Sequence, residues 1–250
     1  MHLDSHCHLD FADYDRDRAA VVQRAQAAGV SGILVPSTHP KTWARTLQMA
    51  QFPGVSVALG LHPCFIGSFT DTEAAALGPR LREAAKRNAV VAIGECGLDK
   101  SAGELPLQVH LLRIQLQVAR ELDLPVLLHC VKAHGALLAL LQEVGPLQGV
   151  MHSYSGSPEM VKSYAKLGLC FSFGGVLTWE GAKKPRLALE QVPPGRLLVE
   201  SDGPDQPISR RRGHPEQQRS EPADVAEIAA LARSMGKEPG WGPFSTQLSS

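Results

Sequence analysis

Eight short apolar runs divide the chain, and each is followed by a segment in which apolar residues recur with helical spacing. The runs are bounded by Gly, Pro or polar residues and occupy 2–4, 32–36, 55–59, 90–93, 125–128, 149–151, 169–173 and 197–200. The helical segments occupy 15–28, 40–51, 71–87, 105–122, 133–143, 158–167, 181–191 and 221–235. Continuous apolar strands that alternate with helices predict a parallel sheet covered by helices.

The number of strand and helix units favours one fold of the α/β class. Eight such units predict a (β/α)8 TIM barrel, ahead of an open doubly wound sheet. No Gly-x-Gly-x-x-Gly follows the first run, and Gly174-Gly175 lacks the spacing of a dinucleotide-binding loop. A chain of 250 residues has the usual length of one barrel, so we predict a single domain over 1–236.

Composition narrows the class of protein further. A hydrophobic content of 44% and a charged content of 20% are ordinary for a globular domain with a sizeable core. The apolar runs are far shorter than the roughly 20 residues that a membrane-spanning helix needs, and the first residues lack the pattern of a signal peptide. Five cysteines without Cys-x-x-Cys spacing argue against a disulfide framework. These features predict a cytoplasmic protein without a membrane segment.

Residues that can bind a metal stand at or directly after the ends of several apolar runs. His6 and His8 are two positions apart, so in an extended segment both imidazoles point to the same side. Further candidates end or follow later runs: Glu95, His129, His152 and Asp202. Because active-site residues converge at the carboxyl ends of barrel strands, we expect all six side chains to form one metallohydrolase centre.

Several motifs, taken together and in this order, resemble the TatD-type metal-dependent hydrolases, often called TatD DNases. They are DSHCHL (4–9), GLHP (60–63), GECGLD (94–99), LPV (124–126), HSYSG (152–156) and ESDGP (200–204). The resemblance extends from residue 3 to about residue 235. It implies a TIM-barrel hydrolase that uses divalent metals against phosphodiester bonds in DNA.

The resemblance also implies a role for each candidate ligand. Glu95 bridges two metal ions, and Asp202 contacts a metal and the nucleophilic water. The other ligands are divided between the ions, His6 with His8 and His129 with His152. If Asp202 accepts the proton of the water, it is the general base, while Glu95 offsets the repulsion between the cations. Mixed imidazole and carboxylate ligands leave the two ions open between zinc, manganese and magnesium.

The leading hypothesis for function is a deoxyribonuclease, 3'-5' exonuclease-like, that hydrolyses single-stranded DNA or DNA ends with metal-activated water. Two alternatives remain open. One is a barrel metallohydrolase that acts on another ester or amide bond, because the fold and the metals do not choose the substrate. The other is a metal-binding variant with impaired catalysis. Cleavage of single-stranded DNA distinguishes the first hypothesis, and metal occupancy without turnover favours the last; no oligomeric state is predicted.

Contacts to a DNA substrate require local positive charge, because 25 basic and 25 acidic residues leave the chain with no net charge. Lys183 follows the seventh run, and Arg210, Arg211 and Arg212 follow the eighth. Both segments are expected near the mouth of the barrel, where they could bind phosphates in a salt-dependent manner. The alternative is a solvated, charged loop.

Three further side chains are candidates for substrate contact. His62 stands before Pro63 after the third run, where it either contacts the scissile phosphate or lines the cleft. Trp179 and Tyr154 could stack on a nucleobase, although packing in the core is the commoner role of such residues.

The chain departs from the family pattern at two places. Val131 occupies a position, two residues after His129, where the family usually has an arginine. After residue 235 the family commonly has another helix, whereas Gly236, Pro239, Gly240 and the residues around them break any helix here. We therefore predict that 237–250 is an atypical, poorly ordered tail and that the closing side of the barrel loses apolar cover.

Overall fold

The computed structural model describes residues 1–67, 69–214 and 218–245. Its strands are β1 (His2–Asp4), β2 (Val30–Pro36), β3 (Val55–Leu59), β4 (Val90–Asp99), β5 (Val126–Val131), β6 (Gly149–Met151), β7 (Leu169–Phe173) and β8 (Leu197–Val199). Each strand pairs in parallel with the next, and β1 pairs with β8 through Asp4 and Val199. This closed sheet confirms the predicted (β/α)8 barrel.

A helix follows every strand before the next one begins, and α8 follows β8. The helices are α1 (Arg18–Ala27), α2 (Trp43–Gln48), α3 (Asp71–Ala84), α4 (Leu105–Glu121), α5 (His134–Val144), α6 (Pro158–Lys166), α7 (Lys183–Gln191) and α8 (Val225–Ser234). The start of α3 at the predicted residue has a local cause, since Thr70 and Glu73 form a capping box. Across the described ranges, none of these helices combines the length and hydropathy of a membrane span.

The barrel interior is a packed core. One buried cluster takes an inward-facing residue from each strand: Leu3, Leu34, Ala58, Ala92, Leu127, Val150, Cys170 and Leu198. The neighbours of these residues along β2, β3, β5, β7 and β8 belong to a second cluster, which packs the sheet against the helices. Because side chains fill the interior, space for chemistry is left at the carboxyl ends of the strands.

The residues after α8 differ from the expectation that the closing side of the barrel loses apolar cover. The N–H of Gly240 donates to the carbonyl of Leu197 at 2.8 Å, at the amino end of β8. A single 3-10 turn, Gly242–Phe244, then inserts the fully buried Phe244 into the interior cluster, against which Trp241 also packs. This segment therefore covers the amino end of the barrel, because two aromatic rings replace the cover that a helix would provide. Residues 246–250 of the predicted tail lie outside the described residues.

Candidate metal centre

The loop after β1 stays extended and carries His6 and His8. The N–H of Cys7 donates to the carbonyl of Leu34 at 3.1 Å, and the N–H of His8 donates to that of Gly203 at 2.8 Å. The segment is thus fixed on both sides by neighbouring chain segments. Since alternate side chains point the same way, the imidazoles lie together, with their Nε2 atoms 3.3 Å apart.

Glu95 and His129 lie inside their strands rather than at the ends. The ladder between β4 and β5 continues as far as the pair of Asp99 with Val131. Gly97 permits this continuation, because a Cβ atom there would overlap the backbone of His129. The apolar run 90–93 therefore marks only the first part of β4, and the buried Glu95 lies near the middle of the strand.

Each oxygen of Glu95 lies close to a different pair of imidazole nitrogens, and Oε1 also lies 3.1 Å from His62 Nε2. Oε2 lies 3.2 Å from His6 Nε2 and 3.4 Å from His8 Nε2. Oε1 lies 3.0 Å from His129 Nδ1 and 2.9 Å from His152 Nε2, and these two nitrogens are 3.1 Å apart. The side chain of Glu95 thus joins two triangles of ligand atoms, which we call the first (with His6 and His8) and the second (with His129 and His152).

The spacing of these atoms fits divalent cations. Ligand atoms about 2.0–2.1 Å from one cation lie about 2.9–3.4 Å from each other, from octahedral to tetrahedral arrangements. The separations within both triangles are 2.9 to 3.4 Å. Glu95 Oε2 is also buried without a hydrogen-bond donor among the described residues, which is costly for a carboxylate unless another cation or donor is bound. The residues present therefore fit one cation in each triangle.

The electrostatics of the cluster also favour cations. Burial alone would raise the pKa of Glu95. Electrostatic interactions with His62, His152 and His6 have the larger effect and lower that pKa well below its usual range. Burial lowers the pKa of His6, as does the nearby His152. A carboxylate that stays charged beside imidazoles is the state that binds a metal, and binding then releases any imidazole protons.

Asp202 lies beside the first triangle, after β8. Its N–H donates to the carbonyl of His6 at 2.9 Å, and its Oδ1 lies 3.7 Å from His6 Nε2. Its other oxygen, Oδ2, accepts a hydrogen bond from the amide of Gln206, which also donates to Ser153 Oγ at 2.7 Å. Sequence reasoning missed Gln206, because its contact with Asp202 depends on how the loop after β8 turns back.

Asp4 ties together the two loops that carry His6 and Asp202. Its Oδ2 accepts from Ser201 Oγ at 2.6 Å, and its Oδ1 accepts from the N–H groups of Ser201 and His6. Burial raises the pKa of Asp4 to about 8. Asp4 begins the DSHCHL motif, but its contact with Ser201 could not be predicted because the two residues are far apart along the chain.

Two carboxylates lie behind the histidines of the second triangle. Asp99 Oδ2 is 3.3 Å from His129 Nε2, and Glu200 Oε1 is 3.6 Å from His152 Nδ1. Glu200 is fully buried, and the N–H of Ser153 donates to it at 2.6 Å. Carboxylates in such positions orient metal-binding imidazoles and increase their basicity.

His62 has a different relation to the cluster. Its Nδ1 accepts a hydrogen bond from the N–H of Cys64 at 3.0 Å, so the hydrogen of the neutral ring is on Nε2. Nε2 lies 3.1 Å from Glu95 Oε1. Burial lowers the pKa of His62, which favours this neutral ring. His62 is therefore placed as a hydrogen-bond donor beside the triangles rather than as a further ligand.

Comparison with known proteins shows the family of this chain. A family model described as TatD related DNase matches residues 3–239. The chain belongs to this family. The predicted membership among the TatD-type metal-dependent hydrolases is thereby confirmed.

Other members of the TatD family are similar along almost their whole length. YjjV of Escherichia coli K12, an uncharacterized metal-dependent hydrolase, is 36% identical over 242 residues, which are 95% of this chain and 91% of that protein. The 3'-5' ssDNA/RNA exonuclease TatD of Cronobacter sakazakii is 34% identical over 237 residues, 92% of this chain and 89% of that protein. The crystal structure of YjjV superposes with a TM-score of 0.84 at 32% identity and covers 99% of this chain and 95% of that one.

Two of the arginines predicted to contact substrate in this TatD-family chain are engaged in ion pairs. Arg211 Nε lies 3.0 Å from the fully buried Asp224 carboxylate. Arg210 Nε lies 2.8 Å from Glu227, on α8. These contacts join the loop after β8 to α8 and its preceding turn, so they give both arginines a structural role.

The remaining candidates fall into exposed and buried groups. Arg212 is exposed, and its guanidinium lies 4.0 Å from the ring centre of Trp179. Lys183 is exposed at the first position of α7. Tyr154 is buried, and its hydroxyl donates to the carbonyl of Ser157, so it belongs to the core. Arg210 is exposed as well but pairs with Glu227, so among the predicted contacts Arg212 and Lys183 are exposed without an ion pair to any described residue.

Proposed function

We propose that this TatD-family protein is a 3'-5' exonuclease that hydrolyses phosphodiester bonds of single-stranded nucleic acid and requires two divalent cations. The main support is the pair of ligand triangles joined by Glu95, since two-cation sites of this kind serve phosphodiester hydrolysis. The name of the Cronobacter relative adds support for the substrate and the polarity. Zinc, manganese and magnesium all suit the mixed ligands, with magnesium at the more oxygen-rich position.

The cations, when bound, supply Lewis acidity that lowers the pKa of water and offsets the charge of the phosphodiester. The side chains do the rest. Asp202 accepts the proton of the attacking water as general base, and Gln206 holds its Oδ2 so that Oδ1 faces the first triangle. His62 donates from Nε2 to an oxygen of the phosphodiester, because its Nδ1 is already occupied by Cys64 N–H.

An assay with end-labelled DNA tests the activity. The protein is reconstituted with Mn²⁺, Zn²⁺ or Mg²⁺ and incubated with 5'-labelled single-stranded DNA, the matching duplex and an RNA of the same sequence. A ladder of labelled products that shortens with time from the 3' end is the expected result. Immediate release of the labelled 5' nucleotide would contradict the polarity. Failure to cleave any of the three, with two metals bound per chain, would favour another bond or an impaired variant.

Replacing Asp202 with Asn tests the proposed base. We expect the rate to fall about a hundredfold to ten-thousandfold, because the amide has no comparable affinity for the proton of water. Metal content is measured alongside the rate, to separate proton transfer from ligand loss. Asp123→Asn is the matched control, since the exposed Asp123 has nearly the same positive φ, 52° against 51° for Asp202. Wild-type turnover by Asp202→Asn with both metals retained would exclude a role as base.

Arg212 and Arg211 are expected to differ in their effects on binding. Arg212→Ala should reduce the salt dependence of single-stranded DNA binding by about 0.7 in the slope of log K against log salt, as for one lost phosphate contact. Arg211→Ala should instead lower the free energy of unfolding by about 1–3 kcal/mol, because Asp224 stays buried without its main partner. Fluorescence anisotropy over a range of salt concentrations measures the first effect, and urea unfolding measures the second. Equal slopes for Arg212→Ala and wild type would count against this contact.

We also propose a cytoplasmic location. All five cysteines are free, and only Cys64 is exposed, as in proteins of reducing compartments. Cell fractionation tests the location, and recovery of the protein outside the cytosolic fraction would contradict it.

A further inference from the structure

Phe65 is a large apolar side chain that remains exposed beside the metal ligands. In the described part of the chain, the exposed large hydrophobic residues are Met1, Leu187 and Phe65, and Phe65 is 44% exposed. Of these three, Phe65 lines the cavity of about 260 Å³ that also contains Glu95 and Asp202. An exposed ring at the wall of a reactive cavity offers apolar area to a ligand.

The backbone holds Phe65 at a fixed place relative to His62. Pro63 begins the 3-10 turn Pro63–Phe65, the N–H of Phe65 donates to the carbonyl of His62 at 3.0 Å, and the N–H of Cys64 donates to His62 Nδ1. The ring centres of Phe65 and His62 are 5.7 Å apart at an interplanar angle of 76°. The ring is therefore pre-positioned next to the donor that faces Glu95, so a ligand that contacts it loses little entropy through ordering the loop.

Phe11 supplies a second aromatic wall of the same cavity. Its ring is stacked on that of His8, with the centres 4.6 Å apart and an interplanar angle of 18°. Phe11 is half-buried, and both phenyl rings line the cavity together with the ligand residues. A molecule that fills this space contacts flat apolar rings at its sides and cation ligands at its base.

The charge on the rim limits what this molecule can be. Asp205 is exposed, lines the same cavity and follows Asp202 by three residues. Its carboxylate repels a second phosphate but accepts hydrogen bonds from the exocyclic amino group of a base. The ligand beside Asp205 should therefore be a flat group with polar atoms at its edge and no phosphate near this carboxylate. The terminal nucleoside of a strand is such a group.

We propose that Phe65 and Phe11 form a stacking subsite for the nucleobase at the 3' end of a single-stranded substrate. The subsite positions the adjacent phosphodiester over the two ligand triangles. This inference rests on the proposed exonuclease function and adds a substrate-positioning role for two residues that carry no metal and transfer no proton. Stacking on an aromatic ring accepts every base, so the subsite gives little sequence preference.

Paired oligonucleotides test the subsite. Both are 5'-labelled and identical, except that one ends in an abasic residue at its 3' terminus. Wild type is expected to remove the normal terminal nucleotide about tenfold faster, as kcat/KM, than the abasic one. Phe65→Ala should lose this preference by slowing only on the normal substrate, and Phe65→Tyr should retain it. Equal slowing of Phe65→Ala on both substrates, or no preference in wild type, would overturn the subsite while leaving the nuclease function intact.

A binding measurement separates the subsite from turnover. Calorimetry on the Mn²⁺-loaded protein compares deoxyadenosine 5'-monophosphate with deoxyribose 5-phosphate, which lacks the base. The nucleotide is expected to bind about tenfold more tightly to wild type and with nearly equal affinity to Phe65→Ala. If no oligonucleotide is cleaved but this difference persists, the nuclease function fails and the base subsite stands. If both compounds bind wild type equally, the subsite fails.

Discussion

Glu95→Gln is expected to remove metal binding and hydrolysis together. Each oxygen of Glu95 belongs to a different ligand triangle, so no other single side chain serves both. The amide that replaces it has one oxygen and one NH2 group, and the NH2 group cannot bind a cation. Bound cations contribute several kcal/mol to stabilising the transition state, so we expect the rate of phosphodiester hydrolysis to fall by at least about a thousandfold.

The measurement combines metal content with rate. Metals per chain are determined by mass spectrometry after dialysis against metal-free buffer, and cleavage of single-stranded DNA is followed in parallel. Glu83→Gln is the control, because the Glu83 side chain is 77% exposed on α3 and pairs with Lys86. Two metals per chain together with an undiminished rate in Glu95→Gln would show that Glu95 does not bridge the sites.

Phe244→Ala is expected to lower the free energy of unfolding by about 3–5 kcal/mol, the usual cost of removing a buried phenyl ring. Phe244 is fully buried in the cluster that fills the barrel. A smaller residue leaves a cavity at the amino end of the strands, where the Gly242 backbone already lies against Leu198 and Cys170. The rigid barrel walls cannot collapse into that space, so the cavity persists.

Urea unfolding of the metal-free protein measures this effect without a contribution from bound cations. Phe65→Ala serves as the matched control, since the same substitution at an exposed ring should change stability by about 0.5 kcal/mol. Removal of residues 237–250 should destabilise at least as much as Phe244→Ala. Equal stability of Phe244→Ala and wild type would mean that the segment after α8 does not support the barrel.

Local patterns were sufficient to predict the fold. The apolar run 169–173 coincides with β7, and the helical segment beginning at 71 coincides with the start of α3, where Thr70 and Glu73 cap the helix. Such signals depend on residues only a few positions apart in the chain, so they can be recognised in the sequence. The end of β4 was not predicted, because its continuation to Asp99 depends on pairing with β5, about thirty residues away.

Residue types predicted the candidate ligands, and the family resemblance implied how they divide between two ions, but neither gave the distances between them. The spacing of His6 and His8 indicates that both side chains point to the same side of the chain. That each oxygen of Glu95 lies in a different triangle depends on how β1, β4, β5 and β6 are brought together. Gln206 and Phe65 carried no chemical motif. Their places beside Asp202 and in the cavity follow from loop paths that no local rule specifies.

The segment after α8 and the arginine cluster show the same limit. Over the described residues 236–245, glycine and proline correctly excluded an α-helix, but the insertion of Phe244 depends on space that eight strands enclose. Likewise, a run of three arginines indicates a positively charged loop. In the structure, however, Arg211 pairs with the buried Asp224 and is largely removed from solvent. The sequence by itself thus determined the elements, their order, the family and the donor atoms. Only the tertiary structure decided the distances between the donors, which charges are neutralised and which rings stay exposed, because each depends on contacts between residues far apart along the chain.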